Sequence, residues 1–266
     1  MKNGKKIGLA LGGGGARGLA HIGVLKVLAR EGISVDAIAG SSMGSIVGAC
    51  YALGIKTEEM EEIILKFSSK RKIASLLDFG LLNGSVMKGD KPYNFLESFI
   101  GDATFSKTKI PFCAIATNLS TGDETIINRG KIVNALRASS CVPGIFPPVK
   151  IGGNYFIDGG VVNPTPVDVV KKMGADVVIG VDLIFTEKTK LKNLNMFSVL
   201  MQSYEIIRNQ AIKLKQKDML SEAIIIKPQA RSLTDSFKFH IIKKFIKSGE
   251  VAATKAMPEI KKKIGI

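Results

Sequence analysis

The chain has 266 residues, 45% of them hydrophobic, which is enough apolar material for a sizeable core. Its three cysteines, Cys50, Cys113 and Cys141, lie far apart and form no Cys-x-x-Cys pair; neither a disulfide framework nor a zinc site is expected, and a reducing cytoplasm suits them. Thirty-eight basic and 23 acidic residues leave a charge of +15, a balance that favours anionic lipid or nucleic acid, yet no Trp and four Tyr offer little surface for stacking single-stranded bases.

Lys6 to Leu11 alternates and ends in glycines, as a first strand would. Lys2, Lys5 and Lys6 precede it, but Gly12 to Gly15 interrupt the apolar stretch too soon for a signal peptide. No run of about 18 apolar residues occurs, so no spanning helix is expected, and contact with a membrane would be peripheral. Ala16 to Arg30 carries Leu19, Ile22, Val24, Leu25, Val27 and Leu28, the pattern of a helix packed on a sheet. Val35 to Ala39 reads as the second strand, Met43 to Leu53 as the second helix with Gly54 as its stop, and Thr57 to Phe67 as a helix with acids in its first turn.

Residues 68–90 mix Lys70, Arg71 and Lys72 with several leucines and Gly80, Gly84 and Gly89, which predicts an irregular, partly apolar excursion and a candidate lid or acyl-chain entrance. A helix resumes at Leu96 to Ile100. Phe112 to Thr117, a turn over Asn118 to Gly122 and Glu124 to Asn128 read as a hairpin. Ile132 to Ser140 is helical, Asn154 to Ile157 a short strand ending at Asp158, Val167 to Met173 a helix and Val177 to Asp182 a buried strand. Met196 to Leu220 places Val199, Leu200, Ser203, Ile207, Ala211 and Leu214 at helical spacing, and Ala223 to Ile226 is the last strand. The basic tail from Lys227 contains a short helix with Phe239, Ile242, Phe245 and Ile246 on one face; packing on the sheet is favoured over a membrane-surface helix. Alternating strands and helices with no linker predict one α/β domain, a mainly parallel central sheet with helices on both faces.

Gly40-Ser41-Ser42-Met43-Gly44 is a G-x-S-x-G sequence set between a strand and a helix. A serine at that turn is pushed out of the sheet, and the flanking Gly40 and Gly44 relieve the crowding. A serine alcohol needs a base to become a nucleophile. Two histidines exist: His21 falls inside the first helix, and His240 has the right chain order but lies in a tail helix rather than a loop. Asp158, followed by Gly159 and Gly160, is the carboxylate candidate, although Asp-Gly also marks many turns. Gly12-Gly13-Gly14-Gly15-Ala16-Arg17-Gly18 satisfies G-x-G-x-x-G, but the second strand ends in Gly40-Ser41-Ser42 without the ribose-binding acid of a dinucleotide site, and no Gly-Lys-Ser/Thr closes a P-loop. Its other use is as backbone donors to an oxyanion.

These motifs in this order resemble the patatin-like phospholipase family. Ala138-Ser139-Ser140-Cys141-Val142-Pro143-Gly144-Ile145-Phe146-Pro147-Pro148 resembles a further family segment, with Cys141 where alanine is common. The resemblance covers about residues 5–185 and implies the family's three-layer sandwich. It implies a Ser-Asp dyad of Ser42 and Asp158, an oxyanion hole in Gly13, Gly14, Gly15, Ala16, Arg17 and Gly18, no cofactor or metal, and hydrolysis of phospholipid or lysophospholipid esters. A non-lipid serine esterase or peptidase and a catalytically silent lipid-binding regulator are the rival readings; a nucleic-acid binder rests on charge alone.

Overall fold

A computed structural model of the chain describes residues 4–66, 69, 71, 75, 78, 80, 85–183, 195–219, 223–229 and 241–266, with backbone alone for residues 197 and 215–219. The expected lid within 68–90 falls largely outside the described residues, as do Phe239 and His240.

One eight-stranded sheet organises the chain. Its strands are β1 (Ile7–Leu11), β2 (Ala37–Ser41), β3 (Phe112–Asn118), β4 (Glu124–Ile127), β5 (Val149–Ile151), β6 (Asn154–Asp158), β7 (Val177–Val181) and β8 (Ala223–Ile226). They lie in the order β5-β6-β3-β2-β1-β7-β8, with β4 beside β3. The run from β3 through β8 is parallel, and β4, β5 and β6 are antiparallel additions at one end.

Alternation along each central strand sorts side chains to two faces. Ile7, Leu9, Leu11, Ile38, Phe112, Ala114, Val177, Ile179 and Val181 join the larger core, whereas Ala10, Ala39, Cys113, Ile115 and Val178 join a smaller one. The larger core is covered by α1 (Ala20–Arg30), α2 (Met43–Ala52) and α8 (Ile242–Ile264), the smaller by α6 (Val167–Lys172). The remaining helices are α3 (Thr57–Lys66), α4 (Asp90–Ile100), α5 (Ile132–Ser140) and α7 (Met196–Met219). This is the expected α/β sandwich.

Two local readings change. The first helix is entered through a 3-10 turn, Gly15–Leu19, because Gly15 takes a positive φ of 54° after the glycine run. The tail helix is long and belongs to the core: Ile242, Phe245, Ile246, Ala253, Met257, Ile260 and Ile264 are buried at helical spacing. It lies so close to α1 that a Cβ on Gly23 would collide with the carbonyl of Ile246, and one on Gly249 with that of Ala20. The helix α7 forms where its spacing indicated, with its apolar stripe turned outward. Val199, Leu200, Ile207 and Leu214 are exposed, the last at 72%, together with Met196 and Ile206. No helix among the described residues is long and apolar enough to cross a membrane.

Candidate active site

β2 and β6 share one edge of β3. At Ala114 and Ile115, β3 pairs with β2 on one side and β4 on the other. At Ala116 and Thr117, β4 continues and β6 takes the place of β2. β2 runs parallel to β3 and ends at Ser41 opposite Ile115; β6 runs antiparallel and ends at Asp158 opposite Ala116. Two strands therefore arrive head to head, delivering Ser42 and Asp158 to one point.

Ser42 has φ 53° and ψ −127°, the sole positive φ at a non-glycine among the described residues. Such a conformation costs about 1–3 kcal/mol and is retained where the surroundings enforce it. Here the surroundings are two close approaches. A Cβ on Gly44 would strike the carbonyl of Leu11, and one on Gly40 would come 2.5 Å from Ser45 Cα. The turn is further held by the Ser42 N–H, which donates to Ser139 Oγ at 3.0 Å, and by the Ser45 hydroxyl, which donates to Ser42 O at 2.7 Å. Ser139 comes from α5 and is fully buried; the sequence segment around it marked the region without assigning it this role.

Asp158 is fully buried. Its backbone N–H donates to Cys141 O at 3.0 Å and its carbonyl accepts from Thr117 Oγ1 at 2.9 Å, while Oδ1 accepts from Gly160 N at 2.7 Å. Oδ2 has no donor at full hydrogen-bond geometry among the described residues. Burial pushes the carboxyl above its ordinary range; the hydroxyl of Ser42, the N–H of Gly160, the hydroxyl of Tyr204 and the charge of Arg208 each pull it back. Gly159 packs against the carbonyl of Ile115, so the Asp-Gly-Gly glycines serve close approach as well as the turn. Cys141 is no nucleophile: its Sγ donates to Ala138 O and Phe156 O, and burial raises its thiol to about 12.

The glycine loop crosses beside the serine. A Cβ on Gly13 would lie 3.1 Å from Ser42 Cβ. Gly12 N donates to Val181 O and Gly13 N to Pro164 O, both at 3.0 Å, and Arg17 N donates to Gly14 O at 3.2 Å. Within the expected donor loop, the N–H groups of Gly13 and Arg17 already have partners inside the protein. Those of Gly14, Gly15 and Ala16 have none among the described residues. Gly18 instead gives room to the side chain of Met43.

One histidine set aside as a base and three residues that the sequence did not single out complete the site. His21 is buried with Nε2 2.7 Å from Gly12 O, and burial lowers it to about 4, so it is a neutral donor to the loop and no base. Tyr204, Glu205 and Arg208 come from the polar face of α7. The Tyr204 hydroxyl faces Asp158, while Arg208, 2% exposed, reaches Gly13 O and Glu205. The available signal was a polar trio opposite the apolar stripe of the same helix. No group of three His, Cys, Asp or Glu arranged to hold a metal occurs among the described residues.

A family model described as Patatin-like phospholipase matches residues 9–171, the stretch that contains the glycine loop, Ser42 and Asp158. An uncharacterised NTE family protein of Mycobacterium tuberculosis is 35% identical over 178 residues, which cover 67% of this chain and 49% of that protein. The lysophospholipase nte1 of Aspergillus fumigatus is 35% identical over 184 residues, 68% of this chain and 12% of that protein. The chain thus spans about half the length, or less, of the curated relatives it matches. Among solved structures, VipD from Legionella pneumophila aligns with a TM-score of 0.56 at 11% identity, covering 96% of this chain and 67% of that one. Human GIVD cytosolic phospholipase A2 aligns at 0.52 and 10% identity, covering 98% and 60%. At such identities these two establish the shared fold alone, whereas the family model and the sequence matches show that the chain belongs to the patatin-like phospholipase family.

Proposed function

We propose that this chain is a lipid acyl-ester hydrolase of the phospholipase A or lysophospholipase type, acting through a Ser42-Asp158 dyad and an acyl-enzyme. The observation that carries this reading is a strained, turn-borne serine facing a buried carboxyl whose pKa is raised, with the nearby histidine held neutral on a backbone carbonyl. A carboxylate raised toward the working pH is a better proton acceptor than an ordinary one.

In the first half-reaction the Ser42 hydroxyl attacks the ester carbonyl and its proton passes to Asp158. The carbonyl oxygen becomes an oxyanion and is held by the N–H groups of Gly14 and Gly15, with Ala16 alongside. As the tetrahedral species collapses, the alcohol leaves with the proton from Asp158 and an acyl-Ser42 remains. Water then gives a proton to Asp158 and attacks the acyl carbonyl; collapse returns that proton to Ser42 and releases the fatty acid.

The lipid part of the reading draws on the family, on the relative named a lysophospholipase and on the exposed apolar side of α7 next to the site. With a charge of +15 this side suits an anionic bilayer surface. The test is a comparison of wild type with Ser42→Ala on long-chain lysophospholipid, diacyl phospholipid vesicles, a short-chain aryl ester and a peptide amide. Release of fatty acid by wild type alone supports the reading. Turnover confined to the aryl ester favours a non-lipid esterase, and no turnover or fluorophosphonate labelling favours a silent binder.

A further inference from the structure

Three successive carbonyls of the glycine loop are each held by a buried side chain, two from the helical stretch that follows the loop and one from α7. His21 Nε2 lies 2.7 Å from Gly12 O, Arg208 Nη2 donates to Gly13 O at 2.5 Å, and Arg17 Nε donates to Gly14 O at 3.3 Å. Glu205 joins the two guanidiniums, accepting from Arg17 Nη2 at 3.0 Å and from Arg208 Nη1 at 3.2 Å. Arg17 and Arg208 are almost wholly buried, Glu205 lies between them, and the buried carboxylates Asp158 and Asp182 also act on Arg208.

A trans peptide unit points its C=O and its N–H to opposite sides. The unit whose carbonyl is Gly13 O has the N–H of Gly14, and the unit whose carbonyl is Gly14 O has the N–H of Gly15. Holding these two oxygens from behind therefore fixes the direction in which the two unpartnered N–H groups project. A cation at the carbonyl end also polarises each peptide, which strengthens its N–H as a donor. Glycine lacks a side chain to fix such a loop, so the restraint must come from elsewhere.

We infer that Arg208 and Glu205, supplied by α7, are positioning residues that aim the Gly14 and Gly15 amides at the developing oxyanion. This rests on the acyl-hydrolase reading above, and it makes α7 part of the machinery although the family match ends before it, at residue 171. Neither side chain touches substrate; each acts through the loop.

The experiment compares wild type, Arg208→Met, Arg208→Lys, Arg208→Ala and Glu205→Gln, each checked for folding by thermal melting. With a soluble aryl ester, Arg208→Met loses about 10²-fold in kcat with KM within about twofold, the pattern of an interaction made in the transition state. Arg208→Lys retains more activity than Arg208→Met, and added methylguanidine restores part of the activity of Arg208→Ala. A folded Arg208→Met with kcat within about threefold of wild type overturns the inference. Hydrogen exchange of residues 12–18 reads the clamp independently of activity: faster exchange in Arg208→Met supports it, and unchanged exchange overturns it. A wild type that turns over no ester and is not labelled at Ser42 instead sinks the hydrolase reading, and the exchange result then decides the clamp alone. If Arg208→Met fails to fold, Arg208→Lys and Glu205→Gln carry the same comparisons.

Discussion

Ser42 and Asp158 meet because the strands that carry them run toward each other along the same edge of β3, ending at adjacent positions opposite Ile115 and Ala116. The pair needs no loop closure to assemble, so a conservative change at either residue removes chemistry without disturbing the sheet. Ser42→Ala and Asp158→Asn are each expected to lower ester hydrolysis by at least about 10³-fold, given how much a nucleophile or its base contributes. Substantial turnover in either purified variant would refute the dyad.

The burial of Asp158 gives the same residue an opposite effect on stability. Its folded pKa lies above the unfolded value, so the folded state favours the protonated acid, and stability declines as pH rises through the folded pKa. Asp158→Asn is therefore expected to melt higher than wild type at neutral pH, by roughly 2–4 °C per kcal/mol for a chain of this size. The gain should shrink once the pH falls below the folded pKa. Activity requires the ionised form, so the acid limb of kcat should lie above the ordinary carboxylate range, near 4. An acid limb at or below that value, or an Asp158→Asn protein that melts lower at neutral pH, counts against this account.

At the turn, Gly44→Ala forces a methyl group onto the carbonyl of Leu11, backbone against backbone. Neither partner can rotate away, so the cost should reach the upper end of overpacking, about 3 kcal/mol, with loss of activity. Gly174 is a useful contrast. It has a positive φ of 91° but open space around it, so Gly174→Ala should cost the left-handed penalty alone, about 1–2 kcal/mol. Urea midpoints measure both. Equal midpoints for the two variants would show that the close approach at Gly44 is not what shapes the turn.

Much of this arrangement was legible in the chain. Ser42 stood out because Gly40 and Gly44 bracket it between an apolar strand and a helix, and the scarcity of histidine pointed to Asp158 once the family resemblance was added. What local pattern could not reveal was where hydrogen bonds go. Gly13 and Gly14 look alike in sequence, yet Gly13 N is tied to Pro164 O, a residue some 150 positions away, and Gly14 N is not. The orientation of α7 was not legible for a related reason: periodicity identifies an apolar stripe but not whether the core or the solvent faces it. The tail helix was underestimated because the small residues Gly249 and Ala253, which let it sit against α1, contribute little to an apolar pattern.

His21 predicts the acid behaviour of the loop. It is buried and its pKa is lowered from 6.5 to about 4 by desolvation, partly offset by its hydrogen bond to Gly12 O. A depressed folded pKa means that protonation favours the unfolded chain. Stability should therefore be lost as pH falls from about 6.5 to about 4, by up to about 3 kcal/mol from this residue alone. His21→Gln, which keeps a donor but does not titrate, should flatten that part of the stability-against-pH curve. A wild-type curve with the same slope as the variant's between those values would exclude His21 as its origin.

The exposed side of α7 predicts a separation between chemistry and access to lipid. Ile206 and Ile207 are 50% and 52% exposed, whereas Tyr204, Glu205 and Arg208 on the other side of the helix engage the site. Ile206→Ser with Ile207→Ser should leave folding stability within about 0.5 kcal/mol, as surface changes usually do. Activity on a soluble aryl ester should likewise be unchanged, because the polar face is untouched. Hydrolysis of anionic phospholipid vesicles should fall by roughly tenfold or more, since two half-exposed isoleucines lose the apolar area they would otherwise bury in the bilayer. The wild-type preference for anionic over neutral vesicles should weaken as salt is raised, because the attraction between a +15 protein and the surface is screened. Equal loss on soluble and vesicular substrates would mean that these isoleucines support the site itself rather than the lipid surface.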